Sequence, residues 1–99
     1  MSKPEIVCLC GSVRFEEDWH KAELMLELAG YIVLSIGFGL PKLPPQTKRR
    51  LDELHRKRID MCDWIYVINK GGYIGRSTKS EMFYAQKMNK RIKLMEPLP

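Results

Sequence analysis

The chain has 99 residues, of which 44% are hydrophobic and 29% charged, with a net charge of +5. Such a length makes a single domain, residues 1–99, large enough for a buried core but too short for two, and no apolar run approaches the roughly 20 residues of a membrane span. The amino-terminal MSKPEIVCLCGS lacks a long apolar segment with a small-residue cleavage site, so the sequence predicts a cytoplasmic protein with no membrane partner.

In chain order, EIVCLC (residues 5–10) is a short apolar run closed by Gly11, the pattern of a strand buried on both faces. Cys8 and Cys10, two apart, project from the same side of it and read with Cys62 as buried thiols. His20 and His55 are too far apart in sequence to complete a recognisable ligand set, so no metal is expected. Phe15, Trp19, Ala22, Leu26 and Ala29 then recur at helical spacing, with Leu24, Met25 and Leu28 widening the stripe, and Gly30 ends it. YIVLSI (31–36) predicts a second strand, and GFGLPKLPPQ, with three prolines and two glycines, predicts a loop. A helix from about Thr47 to Cys62 carries Leu51, His55, Ile59 and Cys62 on one stripe, and its basic run KRRLDELHRKR reads as a solvated face. A third strand (WIYVI, 64–68), the loop 69–78, a helix from about Thr78 to Asn89 and a fourth strand (RIKLM, 91–95) complete the chain.

Strict alternation of buried strands and helices predicts an α/β fold: a doubly wound, flavodoxin- or Rossmann-like three-layer sandwich with a four-stranded parallel sheet in the order 2-1-3-4. Ligands of such folds bind where the winding reverses, at the carboxyl ends of the strands, here the loops 11–15 and 69–78. In the first loop Gly11 and Ser12 present backbone N–H groups with Arg14 beside them, which suits a phosphate or serves only the geometry of a βα turn. In the third loop Gly75, Ser77 and Thr78 stand at the mouth of a helix. Glu81 follows and has two readings: a carboxylate aimed at a substrate, or the closing residue of a capping box begun by Thr78. His55 likewise either faces a site or is a satisfied core histidine. The aromatic residues have the spacing of packing residues and make no base-stacking platform, so a nucleic-acid partner is disfavoured.

CGSVRF at the first strand end, DWIYVIN at the third strand and IGRSTKSEMFYA at the third helix resemble the nucleoside 2-deoxyribosyltransferase family. The likeness runs from about residue 5 to 95 and is nearest the small phage and bacterial members and the deoxynucleoside 5′-monophosphate N-glycosidases. The resemblance implies that Glu81 is the nucleophile that attacks C1′ of a 2-deoxyribosyl group. It also implies that Ser12, Arg14 and Ser77 hold a 5′-phosphate or sugar hydroxyl, that no cofactor is needed, and that the chain is a homo-oligomer. Two positions depart from the family pattern: Gly75 stands where the transferase branch has an aspartate six residues before the nucleophile, and His55 stands where another aspartate falls. The alternative is a nucleotide-binding sensor of the same fold without catalysis.

Overall fold

The computed structural model describes residues 3–98. Four strands, β1 (Ile6–Gly11), β2 (Ile32–Leu34), β3 (Trp64–Ile68) and β4 (Arg91–Leu94), form one parallel sheet in the order β2-β1-β3-β4. Helix α1 (Glu16–Leu28) connects β1 to β2, α2 (Pro45–Met61) connects β2 to β3, and α3 (Arg76–Lys87) connects β3 to β4. The sequence predicted both the class and the strand order.

The alternation of side chains along β1 divides the core in two. Val7 and Leu9 pack with Trp19, Ala22 and Leu26 of α1. Cys8 and Cys10 face the other way, into a cluster with Ile59 of α2, Cys62, Ile65, Val67 and Ala85 of α3. All four β1 residues from Val7 to Cys10 are fully buried. One face of the sheet is therefore covered by α1, and the other by α2 and α3 together. The register sets Cys10 opposite Val67 and Gly11 opposite Ile68. At that last pair the backbones come so close that a Cβ on Gly11 would lie 2.8 Å from the Ile68 carbonyl oxygen, and Gly11 also has φ +151°. Only glycine fits there.

Several element boundaries differ from the sequence expectation. Strand β2 keeps three residues instead of six, because as an edge strand it gains ladder bonds from β1 alone. Helix α2 starts at Pro45, inside the predicted loop, since proline at the first helical position loses no hydrogen bond. Leu24, Met25 and Leu28 of α1 and Leu51 of α2 are exposed, contrary to their placement on the apolar stripes. Each of these helices meets the sheet along a narrow line, and the flanking apolar residues turn outward. The basic run of α2 is a solvated face, with Lys48, Arg49, Arg50, Arg56 and Lys57 exposed.

The capping box does not form. Helix α3 begins at Arg76, its N-cap is Gly75 in an extended conformation, and no side chain caps it. Thr78 and Glu81 are thus the third and sixth helical residues, and Glu81 is too far along the helix to close its start. Among the described residues, no helix is long and apolar enough to cross a membrane.

Candidate functional site

The side of the sheet carrying α2 and α3 gathers the chain's most perturbed ionisable groups. Cys8 and Cys10 come from β1, His55 from the inner stripe of α2 and Glu81 from the second turn of α3. The His55 Nε2 lies 3.6 Å from Cys10 Sγ and 3.9 Å from Cys8 Sγ. It also lies 3.9 Å from a Glu81 carboxylate oxygen, with the Glu81 side chain only 18% exposed. On its other nitrogen, His55 has the Arg58 guanidinium at 3.3 Å from Nδ1. Because guanidinium only donates, Nδ1 accepts, and the ring proton of neutral His55 sits on Nε2, facing the thiols and Glu81.

The electrostatics follow from this packing. Burial pushes the Glu81 carboxyl up to about 6, against the pull of His55. The Cys8 thiol is drawn down to about 6 by hydrogen bonding with Cys10, and further by His55 and Arg58, which together outweigh its burial. Cys10 moves well upward, through the same bond and its own burial. Burial pulls His55 down, but Cys8 and Glu81 outweigh it, so the ring is held above its ordinary value. Of the two thiols, Cys8 is therefore the one more ready to ionise, although neither is exposed.

Glu81 opens onto a cavity of about 230 Å³ lined also by Asp52, Arg56, Arg76, Ser77 and Ser80. Two guanidinium groups, two hydroxyls and two carboxylates line it, a polar and formally balanced set with hydrogen-bond donors for phosphate or sugar oxygens. Glu81 and Ser77 line this cavity, and His55 lies behind Glu81, outside the lining. Thr78 is buried and does not line the cavity. Gly75 caps α3 through its backbone.

The first loop lies apart from this cavity. Ser12 Oγ accepts the Arg14 N–H at 3.3 Å and caps a short 3-10 turn. The Ser12 carbonyl accepts the Trp19 indole N–H at 3.0 Å. The Arg14 guanidinium stacks 4.2 Å from the centroid of Tyr73, and Phe15 meets the same ring edge-on. The two predicted loops therefore do meet, through Arg14 and Tyr73. Gly11, Ser12 and Arg14 do not line the Glu81 cavity.

Sequence reasoning missed Arg56, Arg76 and Ser80 as cavity residues, and missed Cys8 and Cys10 as neighbours of His55. It also missed Asn69, which is fully buried at the end of β3. Asn69 exchanges two hydrogen bonds of 2.8 Å with the backbone of Glu96, whose carboxylate accepts the Gly71 N–H. The glycine-rich loop is fastened to the chain's last segment by these bonds. Asp63, just before β3, accepts the Ile6 N–H at 2.7 Å and joins the start of β1 to the start of β3. Asp60 accepts the Tyr84 hydroxyl at 2.6 Å and so ties α2 to α3.

No protein-family model matches the chain, and no curated protein matches it at a significant level. The class that the fold and site define is an α/β protein of doubly wound topology with a largely buried carboxylate at a polar cavity that also carries two arginines and a second acid.

Proposed function

We propose that the chain cleaves or transfers at the N-glycosidic bond of a 2-deoxyribonucleoside or its 5′-monophosphate, with Glu81 as nucleophile. The observation that carries this reading is the Glu81 carboxylate, largely removed from water yet open to a cavity with Ser77, Arg56 and Arg76. A carboxylate in that setting is a good match for an anomeric carbon with oxocarbenium character, and is unencumbered by a capping role.

In the first step a Glu81 oxygen bonds to C1′ while the C1′–N bond breaks. The base leaves with that electron pair and takes up a proton. In the second step a water oxygen, or the nitrogen of another base, bonds to C1′ and gives up its proton to solvent, and Glu81 departs with its electron pair. His55 Nε2–H faces Glu81 rather than open solvent, so its part is to steady the carboxylate, not to protonate the base. The cavity is smaller than the roughly 300–1,000 Å³ of a pocket that encloses a drug-sized ligand. It accommodates the sugar and phosphate, and the base lies outside, where a second copy of the chain would cover it. Arg56, Arg76 and Ser77 hold the phosphate or sugar hydroxyls, while Ser12 and Arg14, which lie apart from the cavity, take no part in this reading.

The experiment is chromatographic detection of free base from a panel of deoxynucleosides and their 5′-monophosphates, with Glu81→Ala in parallel. Release by the wild type that vanishes in the variant supports the proposal. No release from any substrate overturns it. In that event, the two arginines at the cavity favour the second reading, an anion-binding nucleotide sensor, for which ligand binding unaffected by Glu81→Gln is the mark.

A further inference from the structure

Three of the cluster's donor atoms come from two distant segments of the sequence, β1 and α2, and nothing in the N-glycosidic reading requires the two on β1. Cys8 Sγ, Cys10 Sγ and His55 Nε2 all lie within 4.8 Å of one another. Cys8 and Cys10 are completely buried, and His55 is 5% exposed. A Glu81 oxygen stands 3.9 Å from the same Nε2, between the cluster and the cavity.

We propose that Cys8, Cys10, His55 and Glu81 form a site for a divalent transition metal with the donor preferences of zinc. Two thiolates, one imidazole and one carboxylate are a set that zinc takes in four-coordinate geometry. With bonds of about 2.3 Å to sulfur and about 2.0–2.1 Å to nitrogen, tetrahedral ligands place S and N about 3.6 Å apart. The observed separations of 3.6 and 3.9 Å need only small side-chain adjustments to meet that value. Tetrahedral N and O ligands lie about 3.4 Å apart, so Glu81, at 3.9 Å from Nε2 and outside the three-donor group, must move further than the thiols to complete the set. The cavity bounded by Asp52 and Glu81 gives an ion its path from solvent.

Coordination balances as an exchange of protons for a cation, with no change of oxidation state. Each thiol gives its proton to solvent as its metal–sulfur bond forms. The Nε2 proton of neutral His55 is replaced by the metal, and the ring then carries its proton on Nδ1. That proton ends the hydrogen bond from Arg58, which has nothing to accept it. Arg58 therefore opposes occupancy through hydrogen bonding, while its charge offsets the single negative charge left by two thiolates, a carboxylate and the divalent ion. The proposal does not rest on the N-glycosidic reading: metal uptake is a property of these donors whether or not Glu81 attacks a sugar.

The test is titration of the reduced full-length protein with Co²⁺ under anaerobic conditions, followed by displacement with Zn²⁺. One equivalent should bind, with thiolate-to-cobalt charge-transfer absorption and the visible bands of a tetrahedral ion, and Zn²⁺ should abolish both. Cys10→Ser should weaken affinity at least tenfold and reduce the charge-transfer absorption by about half. Glu81→Gln should keep that absorption with weaker binding, which separates ligation from any catalytic role. Cys62→Ala should bind as the wild type does, since the Cys62 thiol is engaged with the Ile59 carbonyl instead. Arg58→Gln offers Nδ1–H an acceptor and should tighten binding severalfold, a gain that does not depend on the serine variants folding. Absence of charge-transfer absorption in the wild type overturns the proposal. So does absorption that survives in the folded Cys8→Ser/Cys10→Ser double variant or disappears in Cys62→Ala.

Discussion

Replacing Glu81 with glutamine keeps the shape of the side chain and removes its charge, which turns the burial of this carboxylate into a measurable stability. Its ordinary value of 4.5 is raised to about 6 in the folded chain, chiefly by burial. Below pH 4.5 the carboxyl is protonated in both states and costs nothing. Between 4.5 and 6 the unfolded chain releases the proton while the folded chain keeps it, so stability falls as pH rises. Above 6 the loss is complete, about 2 kcal/mol at most at about 1.4 kcal/mol per pH unit, a figure that already includes the attraction to His55. Glu81→Gln should therefore match the wild type at pH 4 and exceed it by about 1–2 kcal/mol at pH 7.5. In a domain of this size that is a rise of about 4–8 °C in Tm per kcal/mol. Urea denaturation across this pH range, with a chelator present to remove metal, measures it. A variant less stable than the wild type at pH 7.5 would refute the reasoning and show Glu81 to be held by interactions that repay its burial. A gain that is constant with pH would place its origin outside ionisation.

Gly11→Ala sets a Cβ 2.8 Å from the Ile68 carbonyl oxygen at a positive φ, and should cost about 3 kcal/mol or more by urea denaturation. Gly75→Asp makes the contrasting case: φ there is −78°, the nearest atom to a new Cβ is the tip of Tyr73 at 3.2 Å, and a side-chain N-cap is gained. Its stability should stay within about 0.5 kcal/mol of the wild type. Asn69→Ala removes both bonds to the Glu96 backbone and should cost about 2 kcal/mol, with faster amide exchange at Gly71 and Gly72 than in the wild type.

The fold was legible because each strand is a run of apolar residues and each connection long enough for a helix, and right-handed crossovers leave few windings. The position of Glu81 and His55 on inward stripes was legible for the same reason. What the sequence hid was tertiary. Whether Thr78 and Glu81 close a capping box depends on where α3 starts, and two residues that any helix accepts, Arg76 and Ser77, extend it by half a turn. Whether Arg14 meets a ligand depends on Tyr73, 59 residues away, which offers its ring face as a competing partner. Cysteine spacing gave two thiols on one face of β1, but not that His55 lies against them, since 45 residues separate His55 from Cys10.

That proximity is a consequence of topology. The crossovers on either side of β3 place α2 and α3 on one face, so the inward residues of both helices converge on the side of β1 that carries Cys8 and Cys10. Glu81 sits where the thiol–imidazole cluster ends and the cavity begins, and the two proposals make exclusive demands on it. As a metal ligand, its oxygen is directed at the ion beside His55. As a nucleophile, it must be free to reach C1′ of a sugar in the cavity. One equivalent of Zn²⁺ should therefore suppress base release by the wild type, a chelator should restore it, and Cys10→Ser should retain release while losing most of the zinc sensitivity. Release that is indifferent to zinc in a protein shown to bind it would place the metal on the thiols and His55 alone, with Glu81 left to the sugar.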